Sequence, residues 1–592
     1  MIRVMTLSRP HISPSRIDTA LAHLAGGDSA RAEALLKAVL AEDSHCAGAW
    51  HGLACVARET GQPRTAIAMV AHALTLTGDD SEKARFHLTL AAALDEAGHF
   101  REAVSACRVA VLLEPRDFRA KAFLSELYYR DGKTQESAQE FDEAVRLAAD
   151  PVPLLMRRGM FLMERRAFSD ACPVFSSLVA HLPDRAEAHA NFGTACFEAG
   201  RMSDALTALQ RAIALDAPTA QTLNTLGLVY QALGALDHAS DAFDRALALA
   251  SDDTGIMSNR AMLRAETGHV MEAQTVFRDI MQSVAGQGEN SRGAGDPVVG
   301  ERQYHQARFN LATIQLAQGA FAEGWDNFES RLFLLGQPAP EASWQGEATD
   351  EPVCVRAEQG LGDCLQFLRF VPLAALRAPL ILVIPTVLHP LLAFMPRLAA
   401  LMRSGRVRLE GEAKLACSLL SLPRLLQLST IDPSPILDLG MKVEKGRIGL
   451  FRAGNPAYRF NARRSLPATM LTPLLDTTEC RFVNFQLGDA PACMEQGVGD
   501  TLLDTARAMA RCELVIGVDT MLAHLAGSCG VPLWLLDRQG GDWRWQGPDW
   551  YEALRVFRPD DYCPPEQAWP LVIARVSEAL RQHIAQRPGA RA

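Results

Sequence analysis

The sequence predicts an all-helical repeat array followed by an α/β region built on parallel sheet, and three observations carry that expectation. The first is a lattice of glycines 34 residues apart, at Gly98, Gly132, Gly200, Gly234 and Gly268, with Arg166 in the one missing slot. The second is what rides on that lattice: alanines five positions on, at Ala103, Ala171, Ala205, Ala239 and Ala273, and bulky residues at Phe141, Phe175, Leu209, Phe243 and Phe277. The third is a change of pattern beyond Glu351, where short β-rich runs alternate with helical stretches. Small residues at fixed offsets and constant period describe one supersecondary unit, repeated because it cannot bury its apolar face alone. Strands separated by helices describe crossovers in a parallel sheet.

A 34-residue helix–turn–helix period is the tetratricopeptide signature. Gly159, Gly193 and Gly227, early in the first helix of their units, and the lattice alanines in the second let two backbones approach closely, while the bulky residue fills the space between neighbouring units. Residues 16–46 form an irregular first pair, a cap. Seven regular units then run from about Ala47 to Met281, with a three-residue slip near Ser81, so that residues 1–282 are repeats. The Gly- and Ser-rich stretch 283–300 is expected as a flexible loop or linker, and residues 301–335 as a last helical pair with Gly319 in its turn. Such units stack into a superhelix whose concave wall commonly grips a peptide or protein.

In the second half the expected strands are Val353–Ala357, Leu380–Ile384, Val407–Leu409, Ile448–Phe451, Phe482–Phe485, Leu514–Val518 and Leu533–Leu536. Pro433, Pro435 and Gly446 mark a gap that divides them into two groups, hence two doubly wound lobes, residues 351–440 and 446–585, with a cleft between. Ala378–Pro396 lacks any formal charge over 19 residues, but its prolines at 379, 385, 390 and 396 would break a lone spanning helix. A buried strand followed by a helix is expected there, with no membrane span.

Bulk properties exclude other classes. A chain of 592 residues needs at least two domains. A net charge of -10, without a basic block interleaved with aromatics, argues against binding along a nucleic-acid backbone. The 13 cysteines are scattered, with no pair at the spacing of a zinc or redox motif, and reduced thiols in a cytoplasmic chain are expected. Met1–Arg16 lacks the apolar core of a signal peptide.

Three strand-to-helix turns can carry chemistry, because ligands of open parallel sheets bind at the carboxyl ends of strands. In Glu358-Gln359-Gly360-Leu361-Gly362-Asp363 the glycines permit close backbone approach, and Asp363 is either a base facing the cleft or an N-cap. In Ala453-Gly454-Asn455-Pro456 and the following Asn461-Ala462-Arg463-Arg464-Ser465, paired arginines either clamp a diphosphate or form a solvated basic turn. In Gly517-Val518-Asp519-Thr520-Met521-Leu522-Ala523-His524 a helix starts at a sheet edge and offers an anion site. There Asp519 can cap, Thr520 can bond a phosphate, and His524 is either one turn along the same face or a structural histidine.

The order GLGD, AGNP with RRSLP, NFQLGD, VDTMLAHLAG and DWRW resembles bacterial proteins that join tetratricopeptide repeats to a heptosyltransferase-like glycosyltransferase domain of the GT-B group, over roughly Glu351–Pro559 and the preceding repeats. The resemblance implies two Rossmann-like lobes, the first facing the acceptor and the second the nucleotide sugar, which is a co-substrate in place of any cofactor or metal. It places Asp363 as catalytic base and Gly360, Gly362, Asn455, Arg463, Arg464, Gln486, Asp519, Thr520 and His524 at the donor. Leu487 stands where relatives often have a lysine, Arg452 where they have a tryptophan, and a tryptophan of Asp542-Trp543-Arg544-Trp545 either stacks on the donor or closes the core. The implied activity is transfer of a sugar to Ser or Thr of a protein held by the repeats, flagellin being one acceptor that suits the architecture. The alternatives are a non-catalytic repeat scaffold with a degenerate sugar-nucleotide fold, or transfer to a cell-envelope glycan.

Overall fold

The computed structural model describes residues 14–290, 297–336, 342–455, 461–477, 479–488, 491, 493–560 and 565–587. Residues 1–13, Pro456 and Asp489, which figure in the sequence reading, lie outside them. The chain forms two compact units, residues 1–182 and 183–592.

The first unit is a run of helical hairpins, from Pro14–Ala25 with Ser29–Glu42 to Val152–Glu164 with Phe168–His181. Its turns need a left-handed residue: Gly98 and Gly132 have φ of 83° and 78°, and Arg166 is held at 58° in the slot that lacks glycine. A side chain there costs roughly 1–2 kcal/mol. The slip near Ser81 is absorbed as one extra turn, because the helix Asp80–Glu96 has 17 residues and Asp79 caps its start by accepting from the Glu82 amide.

The second unit opens with the same hairpins, from Ala186–Glu198 to Phe321–Phe328. Here the packing departs from expectation. A Cβ on Gly227 would fall 2.6 Å from the ring of Phe243, and one on Gly193 2.7 Å from Leu209, so the bulky residue sits on the glycine of its own unit and not only between units. The stretch 283–300 is also not a plain linker: one helix runs on to Asn290 and the next begins at Pro297, leaving 291–296 outside the described residues. Extending an established helix costs far less than nucleating one, and proline at a first helical position has its φ preset.

Two parallel sheets follow. The first contains β1 (Ala342–Ser343), β2 (Val353–Arg356), β3 (Leu380–Val383), β4 (Val407–Arg408) and β5 (Leu415–Ser418), in the order β1-β5-β2-β3-β4. The second contains β6 (Glu444–Phe451), β7 (Arg481–Asn484), β8 (Glu495–Gln496), β9 (Cys512–Val518), β10 (Leu533–Leu536) and β11 (Leu554–Phe557), in the order β11-β10-β9-β6-β7-β8. In each sheet the winding reverses, beside β2 in one and β6 in the other, which is where a crevice opens in doubly wound sheets. The strands expected from sequence are present, while β1, β5, β8 and β11 are additional. Among them, β1 and β8 have two residues each, and the exposed Arg555 interrupts the apolar run of β11.

The uncharged run 378–396 holds β3 and short helical turns, and among the described residues no helix is long and apolar enough to cross a membrane. At the first reversal, the last repeat helix Ser330–Leu334 sends Arg331 into the sheet. Its guanidinium donates to Glu358 Oε1 at 2.9 and 3.1 Å, to Ser418 Oγ at 3.0 Å and to Ser421 Oγ at 2.9 Å. Glu358 follows β2 and Ser418 ends β5, so the repeats are pinned at that point.

Candidate functional site

A cavity of about 1010 Å³ opens at the carboxyl ends of the strands. One wall is the turn after β2; the others come after β6, β7, β8, β9 and β10. Nine of the ten residues expected at a site line it, and Arg463 does not.

The turn after β2 places Asp363 within the first turn of the helix Leu361–Phe367, whose N-cap is Gly360, so Asp363 is not the cap. It accepts instead from Arg544 Nη2 at 2.5 Å. Arg544 is buried, donates also to Gln366 Oε1 at 2.9 Å and Asp542 Oδ1 at 3.1 Å, and lies over the Trp543 ring. A Cβ on Gly362 would meet His524 Cδ2 at 2.9 Å and Met521 Cα at 3.3 Å. Glycine is needed at 362 so that this turn can seat on the helix Met521–Ser528.

The arginine pair divides. Arg464 lines the cavity and donates to Asp519 Oδ2 at 3.4 Å. Gly454 makes room for it, since a Cβ there would fall 2.6 Å from Arg464 Nη2. Arg463, expected beside it on a donor phosphate, is buried in an ion pair with Glu266, the last residue of the repeat helix Thr254–Glu266. The reason is geometric: adjacent residues of the short helix Asn461–Arg464 point about 100° apart, so both cannot face one ligand. Gln486 lines the wall, but its Oε1 accepts from the Arg452 and Ala453 amides at 3.2 and 2.9 Å and so shapes the turn after β6. Asn455 is exposed at the cavity edge.

After β9, Thr520 is the N-cap of Met521–Ser528 and accepts from the Leu522 amide at 3.3 Å. Its hydroxyl proton can still be donated to a ligand. Asp519 is not the cap; it accepts from Trp545 Nε1 at 2.9 Å. Burial, reinforced by the charge of Asp542, raises its pKa to about 6. His524 Nδ1 lies 2.9 Å from the Tyr551 hydroxyl and the ring stacks on Trp545, with centroids 5.0 Å apart. Burial first, and then Arg544, lowers its pKa to about 3, so it is a neutral packing residue near neutrality.

The tryptophans of the 542–545 phrase close the core. Trp543 packs edge-on against Trp325, Phe328 and Trp550. Trp545 is buried behind the cavity wall, in contact with its lining residues Asp519 and His524. Sequence reasoning missed Arg544, Arg538, Asp537 and Asp542 as lining residues. The phrase around Trp543 held the signal for two of them, a capping aspartate followed by an arginine. In total the wall carries five carboxylates (Asp363, Asp500, Asp519, Asp537, Asp542) and three guanidinium groups (Arg464, Arg538, Arg544). Such a surface can accept hydrogen bonds from hydroxyl groups as well as meet an anion. Among the described residues no group of His, Cys, Asp and Glu is arranged to hold a metal ion.

Residues 17–85, 88–151 and 157–220 match a tetratricopeptide repeat family, and residues 220–253 match a second tetratricopeptide repeat description. The chain is 26% identical over 512 residues to Protein FlbA of Caulobacter vibrioides, covering 77% of this chain and 83% of that protein. That share is too large to be confined to the helical repeats. Among solved structures the chain is similar to a tetratricopeptide repeat protein from Parabacteroides merdae, at 17% identity over 42% of this chain and 96% of that one, with a TM-score of 0.29. It is also similar to the C-terminal part of a repeat protein from Cytophaga hutchinsonii, at 13% identity over 41% and 98%, with a TM-score of 0.34.

Proposed function

We propose that this repeat protein is a GT-B-type glycosyltransferase that moves a sugar from a nucleotide sugar to a Ser or Thr of a protein held by its repeats. The observation that carries the reading is the cavity at the second reversal, where a helix start, Arg464 and a set of carboxylates converge at strand ends. Its volume suits a ligand of nucleotide-sugar size. The helix start at Thr520 and the guanidinium of Arg464 would meet phosphate, while the carboxylates would accept from sugar hydroxyls.

In this reading the acceptor oxygen attacks the anomeric carbon, the bond from that carbon to the phosphate oxygen breaks, and Asp363 takes the hydroxyl proton. Arg544 holds Asp363 in place, and Arg464 with Thr520 balances charge on the departing phosphate. Arg463 has no part beyond anchoring the turn.

Calorimetry with UDP, GDP, ADP and CMP, on the full chain and on Arg464→Ala, tests the donor site. One nucleotide should bind, and the variant should weaken it at least tenfold. Asp363→Asn should then abolish transfer and keep nucleotide binding; unchanged turnover removes Asp363 from the mechanism. A second reading, a non-catalytic scaffold, is favoured by one observation: Asp363 and Arg463 are both engaged by partners within the protein. A folded chain that binds none of the four nucleotides would select it.

A further inference from the structure

Glu266 deserves a role of its own. It ends the repeat helix Thr254–Glu266, is buried, and divides its two oxygens between the repeats and the sheet half. Oε2 accepts from Gln231 Nε2, on Ala220–Leu233, the first helix of the preceding hairpin, at 2.9 Å. Oε1 accepts from Arg463 and, at 3.1 Å, from Arg538 Nη1. Arg463 follows β6 and Arg538 follows β10, on either side of β9 in the sheet. Gly540 has a φ of 61°, and a Cβ there would run into the Glu266 side chain, so the turn after β10 is shaped to admit it.

The two arginines differ in what they can leave. Arg463 is buried with its side chain 7% exposed, whereas Arg538 is 21% exposed and lines the cavity. If Arg538 turned toward an anion, Glu266 would keep Arg463 and Gln231, so no buried charge would be orphaned. Exchange of that one contact is therefore inexpensive, which is the property a release contact needs.

We propose that Glu266 is a restraining residue: it holds Arg538 for the repeats, and a phosphate-bearing ligand in the cavity must take Arg538 from it. This rests on the reading that the cavity takes an anionic ligand. Whatever the repeats bind can then alter ligand affinity by moving Glu266, and by linkage the ligand alters the repeats' affinity equally.

The test uses inorganic pyrophosphate and the nucleotide panel, by calorimetry on the full chain. Glu266→Gln should bind the anion more tightly, by roughly fivefold, the scale of a partly exposed ion pair removed from competition. Damage to the fold does not tighten binding, so the sign separates restraint from a merely structural role. Arg538→Ala should weaken binding, and adding Glu266→Gln to it should restore nothing. Because Glu266→Gln leaves Arg463 without its counter-charge, the pair Glu266→Gln with Arg463→Gln is the second variant, with the same tightening expected. Unchanged or weaker binding by a folded variant overturns the restraint and leaves the proposed function standing. Wild-type protein that binds neither pyrophosphate nor any nucleotide overturns both.

Discussion

The two sheets present the same reversal of strand order and put opposite things into it. Beside β2 the crevice is filled by the protein itself: Arg331 and Glu358, with side chains 2% and 4% exposed, meet there with Ser418 and Ser421. Beside β6 the corresponding place is the cavity, held open by Gly454 and edged by the start of the helix Met521–Ser528. Topology offers both crevices to a ligand. The side chains decide, and a buried arginine with Glu358, Glu329 and two hydroxyls around it stands where a ligand would.

Of the substitutions at the two crevices, Arg331→Ala should do the most damage. It strands Glu358 in the interior and should cost about 3–5 kcal/mol, read as a fall in the denaturant midpoint. A loss under about 1 kcal/mol would mean that packing alone fills the first crevice. Arg464→Ala, at the second, should do the reverse, costing a bound nucleotide at least tenfold in affinity and the fold less than about 1 kcal/mol.

A pH series sharpens the second crevice further. Asp519 has a pKa raised from 3.8 to about 6, so over that window the folded state holds more protons than the unfolded. Its contribution therefore makes stability fall as pH rises from 3.8 to 6, by on the order of 1–3 kcal/mol. His524, lowered from 6.5 to about 3, binds fewer protons when folded and contributes the opposite slope, stability rising with pH from 3 to 6.5. The readout is accordingly the difference between wild type and Asp519→Asn. That variant should lack the fall, and its affinity for an anion should no longer decline as pH rises through 6. A smaller effect than that of Arg331→Ala is expected from Ser418→Ala, which removes one hydrogen bond to Arg331 and the cap on the Leu420 amide: about 1–2 kcal/mol in stability, with nucleotide binding unchanged.

The repeats were legible because their signal is local. A left-handed turn tolerates glycine far better than other residues, so the 34-residue lattice marks the six hairpin turns from Gly98 to Gly268, and even Arg166 occupies its slot with φ at 58°. The long apolar strands were legible for a similar reason, being uninterrupted runs such as Leu533–Leu536. Two-residue strands such as β8 gave no periodicity to find. At the cavity, the turns that follow strands were found from glycines and polar residues in order. Partnership was not. Arg463 and Arg464 are adjacent and chemically identical; the helix turns them apart, and the approach of Glu266, 197 positions away, decides which is the anchor and which the lining residue. Asp363 was read as a cap or a base, whereas Arg544, 181 positions on, fixes its orientation.

The contact of Phe175, Leu209 and Phe243, each with the glycine of its own hairpin, bears on how the array can change in length. Gly159 with Phe175 in the first unit, and Gly193 with Leu209 and Gly227 with Phe243 in the second, close inside one hairpin, so such a hairpin carries its own keystone. Deleting 34 residues in register within the first unit is expected to shorten the protein without unmaking it, and deleting 17 to unmake it; cooperative unfolding of the two variants would tell them apart. The hairpins bearing Gln231 and Glu266 are exempt, because they are tied to the cavity. Variation in repeat number is thus open to a hairpin such as that of Gly159 and Phe175 and closed to those two.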